Sequence, residues 1–150
     1  MSESYWRFVK PIWDTVSIYD GGVVFLREFN KVTDKQKALF ATHWAQSEIM
    51  NGGLGQFFSN RTGVLAPEAV NGFNSLGMPQ CSEILKSAMK FFGDTYPRDR
   101  STREEYFEKF YEEFGEDKIP LKEYEDRMAT AIEDENGGFE AAADNYANQG

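Results

Sequence analysis

Carboxylates outnumber every other reactive group in this sequence, and their placement suits binding better than catalysis. Residues 101–150 hold 15 Asp and Glu against 5 Lys and Arg, whereas residues 1–100 hold 10 against 11. Almost the whole net charge of −9 therefore lies in the last third of the chain. One strongly electronegative end repels nucleic acid and attracts a basic protein surface. Other chemistries lack their parts. His43 is the sole histidine, which excludes a multi-histidine metal centre such as H-E-x-x-H. Cys81 is the sole cysteine and has no histidine near it in sequence, so a buried, neutral thiol is expected. Gly52-Gly53-Leu54-Gly55 lacks the strand, the lysine and the Ser/Thr of a phosphate loop. No enzyme class, cofactor or metal is expected.

The carboxylates fall into rows at helical spacing. In a helix beginning at Ser101, Glu104, Glu105, Glu108 and Glu112 crowd one half of the wheel, with Glu113 at its margin. Tyr106, Phe107, Phe110, Tyr111 and Phe114 cover the other half and are expected to hold the helix on the core. Like charges one turn apart cost about 0.2–0.5 kcal/mol per pair, so this row opposes helix stability. Glu116-Asp117 follow it. A second helix, opened by Pro120 and running to about Glu135, turns Leu121, Tyr124, Met128, Ala131 and Ile132 inward and Glu123, Asp126, Glu133 and Asp134 outward. Neighbouring carboxylates on a helix stand about 5–6 Å apart at Cβ, close to the spacing of successive phosphates along a nucleic-acid strand. The Arg and Lys side chains that grip phosphates pair equally well with carboxylates. Glu104, Glu105, Glu108, Glu112, Glu113, Glu116, Asp117, Glu123 and Asp126 are therefore the candidate partner-binding residues. The plainer alternative is a solvated face that only confers solubility.

Helix signals dominate the rest of the chain. Trp6, Val9, Trp13 and Val16 mark one helical face between Ser4 and about Tyr19, with Pro11 predicting a kink or two short helices. Val23–Phe29 has no evident partner strand and is expected to be a short helix. Thr33 and Gln36 form a capping box for a helix that stops near Met50 at Asn51-Gly52-Gly53. Its apolar arc of Ala38, Phe40, Ala41, Trp44, Ala45 and Ile49 includes Glu48, which must find hydrogen-bond donors if buried. His43 falls on the polar side and is expected to face solvent. Leu54–Ser59 reads as a short helical turn with Phe57 and Phe58 inward. Pro67 and Pro79 open further helices, with Gly77 and Gly93 as stops. Asp94–Arg100 reads as a polar connection, and Ser101 with Glu104 as a second capping box. A final helix spans about Phe139 to Asn148. About seven helices with short connections predict an all-α, compact single-domain bundle over residues 1–150, with 101–150 its acidic part.

The segment Gln46-Ser47-Glu48-Ile49-Met50-Asn51-Gly52-Gly53-Leu54-Gly55-Gln56-Phe57-Phe58-Ser59-Asn60, with Gly63 and Ala66-Pro67-Glu68-Ala69 after it, resembles the signature of the DNA-mimic protein family. That family is also classed as a domain of unknown function. The likeness extends from about Pro11 to about Phe92. It implies an all-α fold that is frequently dimeric, with no recognised catalytic activity. It also implies an acidic surface that occupies the DNA-binding face of a transcription regulator. The motif residues Glu48, Asn51, Gly52, Gly53, Gln56, Phe57, Phe58 and Asn60 have a structural reading: the glycines permit a turn and the phenylalanines staple the next one. The rival reading has Glu48, Asn51, Gln56 and Asn60 line a small pocket.

The expected function is an acidic protein-binding module that blocks a basic, DNA-binding regulator. No direct contact with nucleic acid or membrane is expected, the expected location is the cytoplasm, and a homodimer is an open option. The alternatives are an immunity- or antitoxin-like inhibitor of a basic nuclease, and a helical scaffold without mimicry.

Overall fold

The computed structural model describes residues 4–16 and 21–149. Its helices are α1 (Trp6–Val9), α2 (Gly22–Phe29), α3 (Asp34–Ser59), α4 (Ala66–Ser75), α5 (Pro79–Met89), α6 (Arg100–Phe114), α7 (Lys122–Asp134) and α8 (Phe139–Ala147). Short 3-10 turns connect several of them, and no strand occurs among the described residues. The all-α expectation holds, and so do the short helix after Gly21 and the interruption of the first helix at Pro11. The end of that first segment, Ser17 to Tyr19, lies outside the described residues.

α3 is the central strut. Thr33 caps it by accepting from the Gln36 N–H at 3.1 Å, and Gln36 Oε1 accepts from the Thr33 N–H at 3.0 Å. The helix is broken once, at Gly53, whose φ of 85° and ψ of 178° suit glycine and few other residues. The stop and restart expected at the glycine pair are this break. Leu39, Phe40, Ala41, Ala45 and Ile49 before it, and Leu54, Phe57 and Phe58 after it, enter one continuous core. The break re-aims the last turn and lets α7 approach. A Cβ at Gly53 would stand 2.7 Å from Glu125 Oε1. α1, α4, α6, α7 and α8 all lie against α3.

α4 and α5 form a hairpin around Leu76-Gly77, with Pro67 and Pro79 in their first turns. The start of α5 has no cap of its own. Glu135, just past α7, supplies it by accepting from the N–H groups of Gln80 at 2.7 Å and Cys81 at 2.9 Å. Asn136 completes the tie by donating to the Leu76 carbonyl at 2.9 Å. Cys81 is fully buried there, and burial followed by the Glu135 carboxylate pushes its thiol pKa far up. It is an inert core group.

His43 departs from expectation. It does not face open solvent but sits within an aromatic cluster built by the N-terminal segment. Its ring lies 4.9 Å from Trp6, 5.8 Å from Trp13 and 5.9 Å from Tyr5, measured between centroids. Trp13 stacks on Trp44 at 4.8 Å. The Tyr5 hydroxyl is 2.7 Å from His43 Nδ1, and burial followed by Glu140 and Asp144 pushes the tyrosine up to about 12. The polar side of α3 is covered because α1 lies across it, a tertiary fact that no helical wheel contains.

Burial holds the His43 pKa below its ordinary 6.5. A depressed histidine pKa means the unfolded chain binds the proton first, so stability rises with pH across that interval. Wild-type stability should fall on going from about pH 7 to about pH 5, relative to His43→Gln measured in parallel by urea unfolding. A constant difference between the two proteins across that range would contradict the burial of a neutral imidazole.

Candidate protein interface

The acidic C-terminal part is positioned by an arginine. Asp99 caps α6, accepting from the Thr102 N–H at 3.0 Å. The Ser101–Glu104 capping box is therefore incorrect: Asp99 reaches the exposed N–H first, Ser101 is already helical, and Glu104 instead pairs with Arg100 at 3.1 Å. One turn into α6, Arg103 has no solvent-exposed surface at all. Among the described residues no carboxylate forms an ion pair with it. Its Nε donates to the Phe58 carbonyl at 2.8 Å and its Nη2 to the Asn60 carbonyl at 2.9 Å. Its Nη1 donates to the carbonyls of Pro97 at 3.1 Å and Arg98 at 2.7 Å.

This arrangement is physically coherent. The last carbonyls of a helix lack intrahelical partners and carry the negative end of its dipole. The end of α3 thus offers a receptor for a guanidinium, whose fixed donor fork suits several acceptors at once. The Tyr96 ring lies 5.8 Å from the guanidinium carbon. Burial lowers the Arg103 pKa, partly offset by Tyr96 and Asp99. Space for the side chain depends on Gly63. A Cβ there would stand 2.9 Å from Arg103 Nε and from the carbonyl oxygens of Phe57 and Phe58.

The stretch from Asp94 to Arg100 is a strap rather than a loose connection. Tyr96 Oη donates to the Gly63 carbonyl at 2.6 Å, Arg98 to the Val64 carbonyl at 2.9 Å, and Arg100 to the Ser59 carbonyl at 2.9 Å. Arg98 also forms a two-pronged pair with Glu68, at 2.6 and 2.9 Å. The motif segment therefore ends in the receptor for α6. Glu48 finds its donors in the same place: Gln56 Nε2 at 2.6 Å and Asn60 Nδ2 at 3.2 Å. Gly52 must lack a side chain because Gln56 fills the space a Cβ would take. Asn51 is exposed, and the amides of Gln56 and Asn60 both end on Glu48.

Of the candidate partner-binding residues, Glu105, Glu108, Glu112 and Glu113 on α6 are exposed. So are Glu116 and Asp117 in the turn after it, and Glu123 and Asp126 on α7. Glu104 is half-buried, and its contact with Arg100 is the single ion pair made by this group among the described residues. α6 and α7 both lean on α3 but make little direct contact with each other. Asp126 faces a groove shared with α5 rather than α6. The aromatic half of α6 is less buried than expected. Phe107 is in the core, stacked 5.1 Å from Phe91, whereas Tyr106, Tyr111 and Phe114 are exposed, Phe114 at 55%. The helix is held near its N-terminal half, and its distal turns project.

A family model described as DMP19-like protein matches residues 30–149. The chain belongs to that family. The matched span contains the motif segment, the strap and both acidic helices, and begins after α2. No curated protein and no solved structure matches the chain. Among the described residues, no helix is long and apolar enough to cross a membrane, and no group of histidine, cysteine and carboxylate side chains is placed to hold a metal ion.

Sequence reasoning passed over Arg103, although a signal was present. It precedes Tyr106, Phe107 and Phe110 by three, four and seven residues, on the aromatic stripe and not on the acidic one. Replacing Arg103 with Ala strands the carbonyls of Phe58, Pro97 and Arg98, while that of Asn60 keeps the Gly63 N–H; at about 1–3 kcal/mol for each unsatisfied group, a loss of at least about 3 kcal/mol in urea unfolding is expected. Gly63→Ala should be similarly damaging, because its neighbours are backbone oxygens that cannot rotate away. A loss below about 1 kcal/mol for Arg103→Ala would remove the anchor from this description.

Proposed function

We propose that this protein acts as a DNA mimic, presenting the carboxylates of α6 and the following turn to the basic surface of a DNA-binding protein and so excluding DNA. The observation that carries the reading is the absence of neutralising partners at these positions. Six of these seven carboxylates, Glu105, Glu108, Glu112, Glu113, Glu116 and Asp117, are exposed, and only Glu104 is held by a cation among the described residues. Membership of the DMP19-like family supports the same reading. The seating of the root of α6 through Arg103 and Phe107 favours it too, since a helix ordered before binding costs less entropy than a flexible tail. Exposed Tyr106, Tyr111 and Phe114 beside the acidic row add aromatic faces on which guanidinium groups can lie. No catalytic role is part of this reading. A basic nuclease would be gripped by the same physics and remains the second kind of partner.

The test is capture from a lysate of the native host, with elution by duplex DNA. A captured protein that itself binds DNA and is released by the duplex is expected. Reversing Glu105, Glu108 and Glu112 to Lys, with the helical content checked by circular dichroism, should weaken that complex at least about tenfold. Undiminished binding by the reversed protein would overturn the assignment of this face. Capture of a nuclease, with its activity inhibited, would move the conclusion to the second partner.

A further inference from the structure

α5 and α7 enclose a groove of about 750 Å³ that none of the α6 carboxylates reaches. On α7 its wall is Asp126, Thr130 and Asp134, one face repeating every fourth residue, with Arg127 at the edge. On α5 it is Glu83, Ile84 and Ser87, and Glu135 closes the end. The lining is more apolar than polar, with Ile84 and Ala131 at its base. Glu135 is committed to the first turn of α5. Glu83, Asp126 and Asp134 are exposed and make no ion pair among the described residues. Arg127 lies 5.9 Å from the Tyr124 ring and also makes no ion pair among them.

We infer that this groove is the docking slot for an arginine-bearing helical segment of the partner protein. An apolar base beneath carboxylate walls matches an arginine, whose methylene stem covers apolar surface while its guanidinium reaches a carboxylate. A lysine would meet the base but not the two-pronged geometry. Asp126 and Asp134 are two turns apart, a rise of about 12 Å, which matches arginines two turns apart on an incoming helix. DNA is excluded as the occupant by the sign of the walls. The inference rests on the mimic reading in taking a basic protein as partner. It adds a shaped site, on a different pair of helices, to the charged row of α6.

The probe is a fluorescein-labelled, alanine-based helical peptide with arginines one and two turns apart, titrated at low salt and followed by anisotropy. Thr130→Trp fills the groove without changing any charge, since Thr130 is exposed on its wall. Asn145→Trp, on the exposed side of α8, adds the same side chain elsewhere. Binding should fall about tenfold in Thr130→Trp and stay within about twofold of wild type in Asn145→Trp. Amide shifts in wild type should centre on Ile84, Ser87, Thr130 and Ala131. Equal binding to both tryptophan variants, shifts centred on α6 instead, or no binding to wild type would each overturn the slot. The α6 reading would then stand or fall on its own charge-reversal experiment.

Discussion

A fully buried guanidinium whose hydrogen bonds all end on backbone carbonyls determines how the acidic third of this protein meets the rest. Arg103 spans the end of α3 and the strap at Pro97-Arg98, where it fills the carbonyls of Phe58, Pro97 and Arg98 and shares that of Asn60 with the Gly63 N–H. A buried cation is costly unless its donors are filled, and here four of its five are. The same bonds that make the burial tolerable fix where α6 leaves the core and which way it points. Arg100, Arg98 and Tyr96 repeat the device on neighbouring carbonyls, so the junction is a sheaf of side-chain donors on one helix terminus and the turn after it.

This junction separates the basic and acidic roles of the chain. Arg98 and Arg103 are spent inward, on backbone oxygens and on Glu68, and Arg100 alone of this group also reaches the acidic row, at Glu104. The repulsion within that row is thereby left uncompensated along the exposed edge. Fixing the root of the helix in the core, through Arg103 and Phe107, supplies the stability that its own sequence lacks. Like-charge spacing that would fray an isolated helix can persist on one held in this way.

Much of the fold was legible in the sequence because its signals are local. The Thr33–Gln36 box, the prolines at the starts of α4 and α5, and the glycines that end or break helices act within a few residues. The exposure of Glu105, Glu108, Glu112 and Glu113 on α6 was equally legible, since periodicity alone assigns them to a face. What the sequence did not disclose depends on distant partners. Asp99 displaced Ser101 as the cap by one competing side chain. His43 became part of an aromatic cluster because α1 lies over α3. The cap of α5 comes from Glu135, more than fifty residues away. Arg103 escaped notice because charge suggested solvent where helical position pointed inward. The projecting Phe114 is the converse case, an aromatic residue on the correct face of a helix that outruns the core beneath it.

The electrostatic character of the interface is the point on which the functional reading turns. Its most direct measurement is the affinity for the captured DNA-binding protein, determined by calorimetry at a series of salt concentrations. Carboxylates meeting arginines and lysines at an exposed surface should lose at least about tenfold in affinity between about 50 mM and about 500 mM salt. An affinity that holds constant across that range would show that the acidic row is not what the partner recognises.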